Sequence, residues 1–183
     1  MKLLKFYIGQ FNFIGKILSL NYDLNRKYRW VSLIKNIPFN CKILDIGSGS
    51  GKYLLELFHL GYKNITGIDP FNSSTLNLNN NITIYNCEVD NLTSTYDFII
   101  MNHSLEHIFD QDHIFLELKR LLNPGGKVLI RIPFIGYAWE QYGANWYQID
   151  APRHMTIHSI NSFRFLCNKY NFNIDLILHD STD

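Results

Sequence analysis

The stretch Lys42-Ile-Leu-Asp45-Ile-Gly47-Ser-Gly49-Ser-Gly51 decides the fold class, because it joins a short apolar run to a glycine-rich turn. The next segment, 52–60, has apolar residues at helical spacing and ends before Gly61. Glycines in such a turn let the backbone pass close to a ligand, and the helix behind them directs free N–H groups towards it. The stretch therefore predicts a strand, a ligand-binding loop and a helix.

Apolar runs alternate with helical segments along the rest of the chain, which is typical of a parallel α/β sheet. We predict further strands at 65–68, 82–85, 98–101, 128–132 and 174–178, and further helices at 112–122 and 161–170. No sequence feature marks a domain boundary. The chain is therefore interpreted as a single domain overall.

Composition narrows the range of functions. With 183 residues, 46% of them hydrophobic and 18% charged, the chain can bury a core. Its net charge of +1 argues against a protein held to nucleic acid by bulk charge. The cysteines Cys41, Cys87 and Cys167 are too scattered for a disulfide framework or a metal knuckle, which predicts a reduced, cytoplasmic protein.

The first 40 residues are assigned as an N-terminal helical cover. Apolar residues within 1–20 follow helical spacing, but lysines interrupt them, so neither a membrane span nor a signal peptide is predicted. A helix packed over the domain is the favoured interpretation. Contact of this helix with a membrane surface is the alternative.

The spacing of the glycines separates three kinds of nucleotide site. A Walker A loop is excluded, because Tyr53 stands where that motif needs Ser or Thr. A nicotinamide-binding fingerprint is disfavoured, because Lys52 takes the place of its third glycine. Asp69 follows the second predicted strand, 22 residues after Gly47, where a carboxylate can accept hydrogen bonds from ribose hydroxyls. The alternative for Asp69 is a turn residue before Pro70.

Five sequence pieces occur in a characteristic order. They are Asp45-Ile-Gly-Ser-Gly-Ser-Gly51, Gly67-Ile-Asp69, Tyr96-Asp-Phe-Ile-Ile100 leading into Ser104-Leu-Glu-His107, Leu121-Leu-Asn-Pro-Gly-Gly126, and Trp146-Tyr-Gln-Ile-Asp-Ala-Pro-Arg-His154. Together they resemble the class I S-adenosylmethionine-dependent methyltransferases. The last piece resembles a subgroup of small bacterial methyltransferases with a W-x-x-x-D-x-P-R-H segment.

The resemblance implies an α/β fold with a Rossmann-like, mostly parallel sheet, helices on both faces and a methyltransferase domain at 41–183. It implies S-adenosyl-L-methionine as cofactor, with the glycines at its methionine part, Asp69 at the ribose, and Glu88 and Val89 at the adenine. The implied cofactor-binding residues are Asp45, Gly47, Ser48, Gly49, Gly51, Asp69, Pro70, Glu88, Val89, Asn102 and His103.

Histidines supply the candidate catalytic residues. His154 is the first candidate for general base, because neutral imidazole accepts a proton near neutral pH, and His103 and His107 are the alternatives. His103, Glu106 and His107 resemble a metal-binding E-x-x-E-H motif in which histidine replaces the first glutamate. A structural Glu106–His107 pair is favoured over a metal site, so no metal is predicted.

The predicted function is methyl transfer to a small acceptor, with O-methylation favoured and no nucleic-acid partner. A non-catalytic cofactor-binding subunit is the alternative, and a nicotinamide-dependent oxidoreductase is a weaker one. Six aromatic residues within 134–147 are interpreted either as a cover over the acceptor or as a small separate core. The family's sheet ends in two further strands. We expect 174–178 to form the sixth and the seventh to be missing, which leaves an edge for another chain, such as the second copy of a homodimer.

Overall fold

The computed structural model describes residues 34, 37–79 and 81–179. Most of the predicted N-terminal helical cover at 1–40 lies outside these residues, together with its expected membrane-surface contact. In the described part of the chain, no helix has the length and apolar character needed to cross a membrane.

The described residues form six strands and four α-helices. The strands are β1 (Ile43–Ile46), β2 (Ile65–Ile68), β3 (Leu76–Leu78), β4 (Ile82–Tyr85), β5 (Tyr96–Asn102) and β6 (Leu122–Arg131). The helices are α1 (Lys52–Leu60), α2 (Gln111–Leu121), α3 (Tyr137–Tyr142) and α4 (Ile160–Lys169). Short 3-10 turns connect several of them.

The strands form one sheet in the order β3-β4-β2-β1-β5-β6. All neighbours are parallel except β3, which runs antiparallel to β4. The chain leaves β1 towards β2 and later returns to its other side as β5. Ligands of such sheets bind outside the carboxyl ends of the strands where this reversal occurs. The α/β fold with a mostly parallel, Rossmann-like sheet is thus confirmed.

Each face of the sheet has its own hydrophobic core. Successive strand residues point to opposite faces, so Ile43 contributes to one core and Leu44 to the other. On the first face, α1 buries Leu54, Leu57 and Leu60 against the strands. On the second face, α2 and α4 cover the sheet. Two covered faces explain why every residue of β1 and most residues of β5 are buried.

Helix ends follow the local chemistry of the chain. Asp110 begins α2, and its side chain accepts a hydrogen bond from the backbone N–H of His113 at 2.8 Å. Ser159 caps α4 in the same way. Gly61 ends α1 in the left-handed conformation, with φ of 119°, and its N–H bonds to the last turn.

Four features of the structure differ from the sequence predictions. The strand predicted at 128–132 begins already at Leu122, and α3 was not predicted because 134–158 has no clean period. The segment 174–178 does not form the predicted sixth strand, although four of its five residues are apolar. A strand needs a hydrogen-bonding neighbour, and β6 pairs only with β5 among the described residues. Conversely, β3 was not predicted, because three residues are too few to show a period.

Candidate functional site

The glycine loop between β1 and α1 is fixed to the end of β2. The backbone N–H groups of Gly47 and Ser48 both donate to the carbonyl of Ile68, at 2.9 and 3.1 Å, and the Ser48 hydroxyl donates to the same oxygen at 3.3 Å. Gly47, Gly49 and Gly51 all have positive φ, of 76°, 53° and 77°. Glycine is therefore required by the backbone conformation at three alternate positions.

The space around the loop differs between its glycines. A Cβ on Gly47 would lie 2.5 Å from the Cβ of Ser104, so the segment after β5 packs directly on the loop. A Cβ on Gly49 would meet nothing within 4 Å. The middle of the loop therefore borders open space. The buried hydroxyl of Ser104 has no hydrogen-bond partner among the described residues.

Asp69 is buried at the end of β2 and holds the loop in place. One carboxylate oxygen accepts a hydrogen bond from the N–H of Gly49 at 2.7 Å, and the other accepts from the N–H of Phe71 at 2.9 Å. A carboxylate has about four acceptor positions, so both oxygens retain capacity for ligand hydroxyls. The structure thus gives Asp69 a structural role that does not prevent ribose binding.

Asp45 is the most strongly perturbed carboxyl group of the loop region. Its side chain is buried, and burial together with the nearby charge of Asp69 raises its pKa to about 7. Two acidic groups with little solvent around them favour a cationic ligand, because a positive charge offsets both the desolvation and the mutual repulsion. This part of the site fits the ammonium group of an amino acid.

Two asparagines of the site were not identified from the sequence. Asn72 donates its side-chain amide to the carbonyl of Gly49 at 2.9 Å. Asn86 donates to the carbonyls of Pro70 and Asn72, at 3.0 and 2.5 Å. They join the glycine loop to the turn after Asp69. Asparagine is common in turns throughout this chain, so no sequence signal distinguishes these two.

The residues expected at the adenine follow β4, next to the end of β2. Glu88 is exposed, and its backbone N–H donates to the side chain of Asn91 at 3.1 Å. Val89 is buried and begins a 3-10 turn. Because β4 lies beside β2, both residues are at the same edge of the sheet as Asp69. Asn102, the last residue of β5, is half-buried.

His103 stands in an unusual backbone conformation directly after β5. Its φ is 53°, and its N–H donates to the carbonyl of Arg131 at 2.9 Å, which continues the pairing with β6. Its ring Nδ1 lies 3.2 Å from Oε1 of Glu106. Because an ionised carboxylate only accepts, this contact places the proton on Nδ1 and leaves Nε2 with a free lone pair.

Glu106, His107 and His154 form a compact cluster. The side chain of Glu106 is 1% exposed and that of His154 is 7% exposed. The His107 and His154 rings lie 4.8 Å apart between centroids. The backbone carbonyl of Glu106 accepts hydrogen bonds from the N–H groups of Met155 and Thr156, at 2.8 and 3.2 Å. The loop carrying His154 is thus attached to the segment after β5.

The cluster differs from the group of His103, Glu106 and His107 that the sequence predicts. His103 and Glu106 are in contact, as expected from their spacing, but the ring partner of His107 is His154. Two other histidines lie elsewhere. His113 pairs with Asp90, and His158 contacts Ser162 and Gln111, where burial lowers the pKa of its ring.

Comparison with known proteins identifies the domain. A family model described as a methyltransferase domain matches residues 22–177. EEF1A lysine methyltransferase 2 of Danio rerio is 39% identical over 39% of this chain and 30% of its own. The ubiquinone/menaquinone biosynthesis C-methyltransferase UbiE of Geotalea daltonii is 27% identical over 66% of this chain and 57% of its own. The chain thus spans less than two thirds of each of these relatives.

Solved structures share the fold at low sequence identity. An S-adenosylmethionine-dependent methyltransferase from Mesorhizobium loti has a TM-score of 0.62 at 14% identity, covering 81% of this chain and 82% of its own. Magnesium protoporphyrin IX methyltransferase from Synechocystis PCC 6803, solved with bound SAH, has a TM-score of 0.58 at 16% identity, covering 88% and 78%. Since the family model spans most of the sequence and the sheet has the matching architecture, the chain belongs to the methyltransferase domain family.

Proposed function

We propose that this protein transfers a methyl group from S-adenosyl-L-methionine to a small acceptor, with an acceptor oxygen favoured. The observation that carries the proposal is the pair of buried carboxyl groups, Asp45 and Asp69, beneath a glycine loop that borders open space. The cofactor bears an ammonium group, a sulfonium and a ribose. The site offers carboxylates for the cations and remaining acceptor capacity for the ribose hydroxyls.

Different residues would bind different groups of the cofactor. Asp45 would bind the ammonium group, and the unpartnered hydroxyl of Ser104 would bind the neighbouring carboxylate. Asp69 would accept from the ribose, and Glu88 and Val89 would flank the adenine. When bound, the cofactor supplies an electrophilic methyl group. The protein then needs to align the acceptor with it and exclude water.

His103 is the proton acceptor that we propose for a hydroxyl substrate. Its Nδ1–H is oriented by Glu106, its Nε2 is free, and its side chain is 40% exposed next to the segment that packs on the glycine loop. A base held by a carboxylate in this way has its ring orientation and tautomer fixed. His154 and His107 remain candidates, but the nearly buried side chain of His154 makes it the weaker one.

The chain after β6 is the proposed acceptor cover. Most of its aromatic residues are exposed, including Tyr137, Tyr142 and Tyr147, whereas Trp146 is buried. Exposed aromatic side chains at the entrance of a site suit an apolar acceptor better than a separate core would. The segment Trp146–His154, which resembles the subgroup with W-x-x-x-D-x-P-R-H, anchors this cover through the contacts of His154.

By name, one relative is a lysine methyltransferase and the other is a C-methyltransferase of ubiquinone/menaquinone biosynthesis, so the relatives do not indicate the acceptor atom of this chain. A small acceptor is favoured over nucleic acid because the net charge is only +1. Cys41, Cys87 and Cys167 are free thiols, as expected for a reaction in the reducing cytoplasm.

Two experiments test the proposal in sequence. Calorimetry should show S-adenosylhomocysteine binding with one site per chain and no binding of NAD. Labelled S-adenosyl-L-methionine should then methylate a component of a small-metabolite pool. His103→Gln should lower turnover roughly 100-fold while the affinity for S-adenosylhomocysteine is unchanged. Binding of NAD alone would exclude methyl transfer, and cofactor binding without any labelled product would favour the non-catalytic subunit.

A further inference from the structure

Beyond methyl transfer, we propose that Glu106, His107 and His154 bind one divalent transition-metal ion of the Zn²⁺ type. One ligand atom from each residue lies within 4.8 Å of the others. The three residues come from two separate parts of the chain that the fold brings together. This proposal departs from the sequence prediction of no metal, which considered only the grouping of His103, Glu106 and His107.

The two histidines have their ring protons fixed away from the cluster centre. The Nδ1 of His107 lies 2.9 Å from the carbonyl oxygen of Arg153, and the Nδ1 of His154 lies 2.6 Å from that of Gln148. A carbonyl oxygen only accepts hydrogen bonds, so both Nδ1 atoms carry the proton. Both Nε2 atoms therefore present a lone pair. Backbone carbonyls orient metal-binding histidines in this way.

Glu106 contributes a buried oxygen that lacks a partner. Its Oε1 contacts His103, whereas its Oε2 has no hydrogen-bond partner among the described residues, although the side chain is 1% exposed. An unsatisfied buried carboxylate oxygen is costly. A cation next to Oε2 would remove that cost. It would also be bound by a carboxylate whose other oxygen is already oriented by His103.

The surroundings of His154 add a further argument for a cation. Oδ2 of Asp150 lies 3.9 Å from Nε2 of His154. With the His154 proton on Nδ1, the Nε2 lone pair faces this carboxylate, and a cation held by the cluster would be attracted by the nearby negative charge. Asp150 also pairs with Arg153, so we assign it to the periphery rather than to the ligand set.

The type of ligand favours a transition metal over Mg²⁺ or Ca²⁺. Two imidazole nitrogens and one carboxylate oxygen are typical of Zn²⁺ and related ions, whereas Mg²⁺ and Ca²⁺ prefer oxygen ligands alone. Three protein ligands leave a coordination position open for water or a substrate atom. No cysteine belongs to the cluster, and burial raises the pKa of Cys41 and of Cys167 to about 11 and that of Cys87 above its ordinary value.

The test uses the whole chain after removal of metals with a chelator. Equilibrium dialysis with Zn²⁺ should give one ion per chain, and titration with Co²⁺ should give a visible absorption that Zn²⁺ abolishes and Mg²⁺ does not. Glu106→Gln and His107→Gln should each weaken Zn²⁺ binding at least 10-fold. His113→Gln is the matched control, because this histidine is exposed and pairs with Asp90 outside the cluster.

The outcomes separate this proposal from the proposed function. The metal titration needs neither cofactor nor turnover, and circular dichroism shows independently whether each variant is folded. His107 is exposed, so His107→Gln decides the question if Glu106→Gln does not fold. Absence of stoichiometric Zn²⁺ binding, or binding that is equally affected in His113→Gln and His107→Gln, would overturn the metal site.

Discussion

At the scale of single residues, Asp45 reduces stability in exchange for ligand binding. Its folded-state pKa of about 7 lies above the ordinary value of 3.8, so the folded protein binds more protons than the unfolded chain between these values. The free energy of unfolding therefore falls as pH rises from about 4 to 7. Above pH 7 Asp45 is ionised, and the full free-energy cost of burying its charge lowers the stability of the folded protein. Strain of this kind is common where a protein holds a charged ligand.

Asp45→Asn should stabilise the ligand-free protein strongly at pH 8 and much less at pH 5, where only about a third of the effect is present. The amide removes a charge whose burial costs up to about 4 kcal/mol, so we expect a melting temperature several degrees higher at pH 8. Differential scanning calorimetry at the two pH values measures this. An equal melting temperature of both proteins at pH 8 would contradict the proposed charge strain.

The same variant should bind S-adenosylhomocysteine roughly 10- to 100-fold more weakly at pH 8, because the ammonium group loses its charged partner. For the natural sequence, affinity should increase from pH 6 to pH 8 as Asp45 ionises. Calorimetric titration at both pH values tests the assignment. An affinity independent of pH would assign the ammonium group to another residue.

Asp69→Ala should weaken S-adenosylhomocysteine binding by about 2–4 kcal/mol, through the loss of two charge-assisted hydrogen bonds to the ribose. The variant also removes the acceptors for the N–H groups of Gly49 and Phe71, so the loop should become less ordered. Homocysteine, which lacks the nucleoside, separates the two effects. Loss of loop order should weaken its binding as well, whereas loss of the ribose contact should not. Unchanged affinity in a folded variant would exclude the ribose role.

At the scale of elements, the glycines of the loop between β1 and α1 have different roles: one packs against the core and another borders the ligand space. Gly51 begins α1, and a Cβ there would lie 2.4 Å from Ile84 and 2.6 Å from Leu78, both in the core around α1. Gly49 faces open space instead. Both positions have positive φ, so the backbone cost of a side chain is similar at the two. Their surroundings are therefore the main difference between them.

Gly51→Ala and Gly49→Ala form a matched pair. We expect Gly51→Ala to lower the free energy of unfolding by about 2–4 kcal/mol, from left-handed strain plus overpacking, and Gly49→Ala by about 1 kcal/mol from strain alone. Cofactor affinity should fall mainly in Gly49→Ala, whose methyl group enters the ligand space. Denaturant unfolding and calorimetry report the two quantities. Equal effects of both variants on affinity would contradict this division.

The sequence predicts the elements well where their determinants are local. Gly47, Gly49 and Gly51 must turn the chain whatever lies around them, so the β1–loop–α1 unit could be identified directly. Asp110 and Ser159 mark helix starts within about a residue for the same reason. The strand β3 could not be identified, since Leu76–Leu78 gains its structure from pairing with β4 rather than from its own pattern.

At the scale of the whole molecule, long-range contacts limit what a sequence can predict. His154 is 48 residues from Glu106 along the chain, and only the fold reveals that they share a cluster. The segment 174–178 shows the same limit in reverse. Its apolar run suits a strand, yet Ile174, Leu176 and Leu178 are 37%, 61% and 40% exposed. The sequence pattern indicates which residues suit a strand, but not whether a neighbouring strand is present to pair with them.

Hydrogen exchange distinguishes an unpaired segment 174–178, as in the structure, from the sixth strand that the sequence predicts there. An open groove of about 830 Å³ is lined by β6 and by residues 171–178, and no strand within 37–79 or 81–179 pairs with β6 across it. Without ladder hydrogen bonds, the amides of 174–178 should exchange almost as fast as those of an unfolded peptide. The central amides of β5, which has a neighbour on each side, should exchange at least roughly 10³-fold more slowly. Slow exchange throughout 174–178 in dilute solution would restore the sixth strand that the sequence predicted, whereas protection that appears only at high protein concentration would show that β6 pairs with a second copy of the chain.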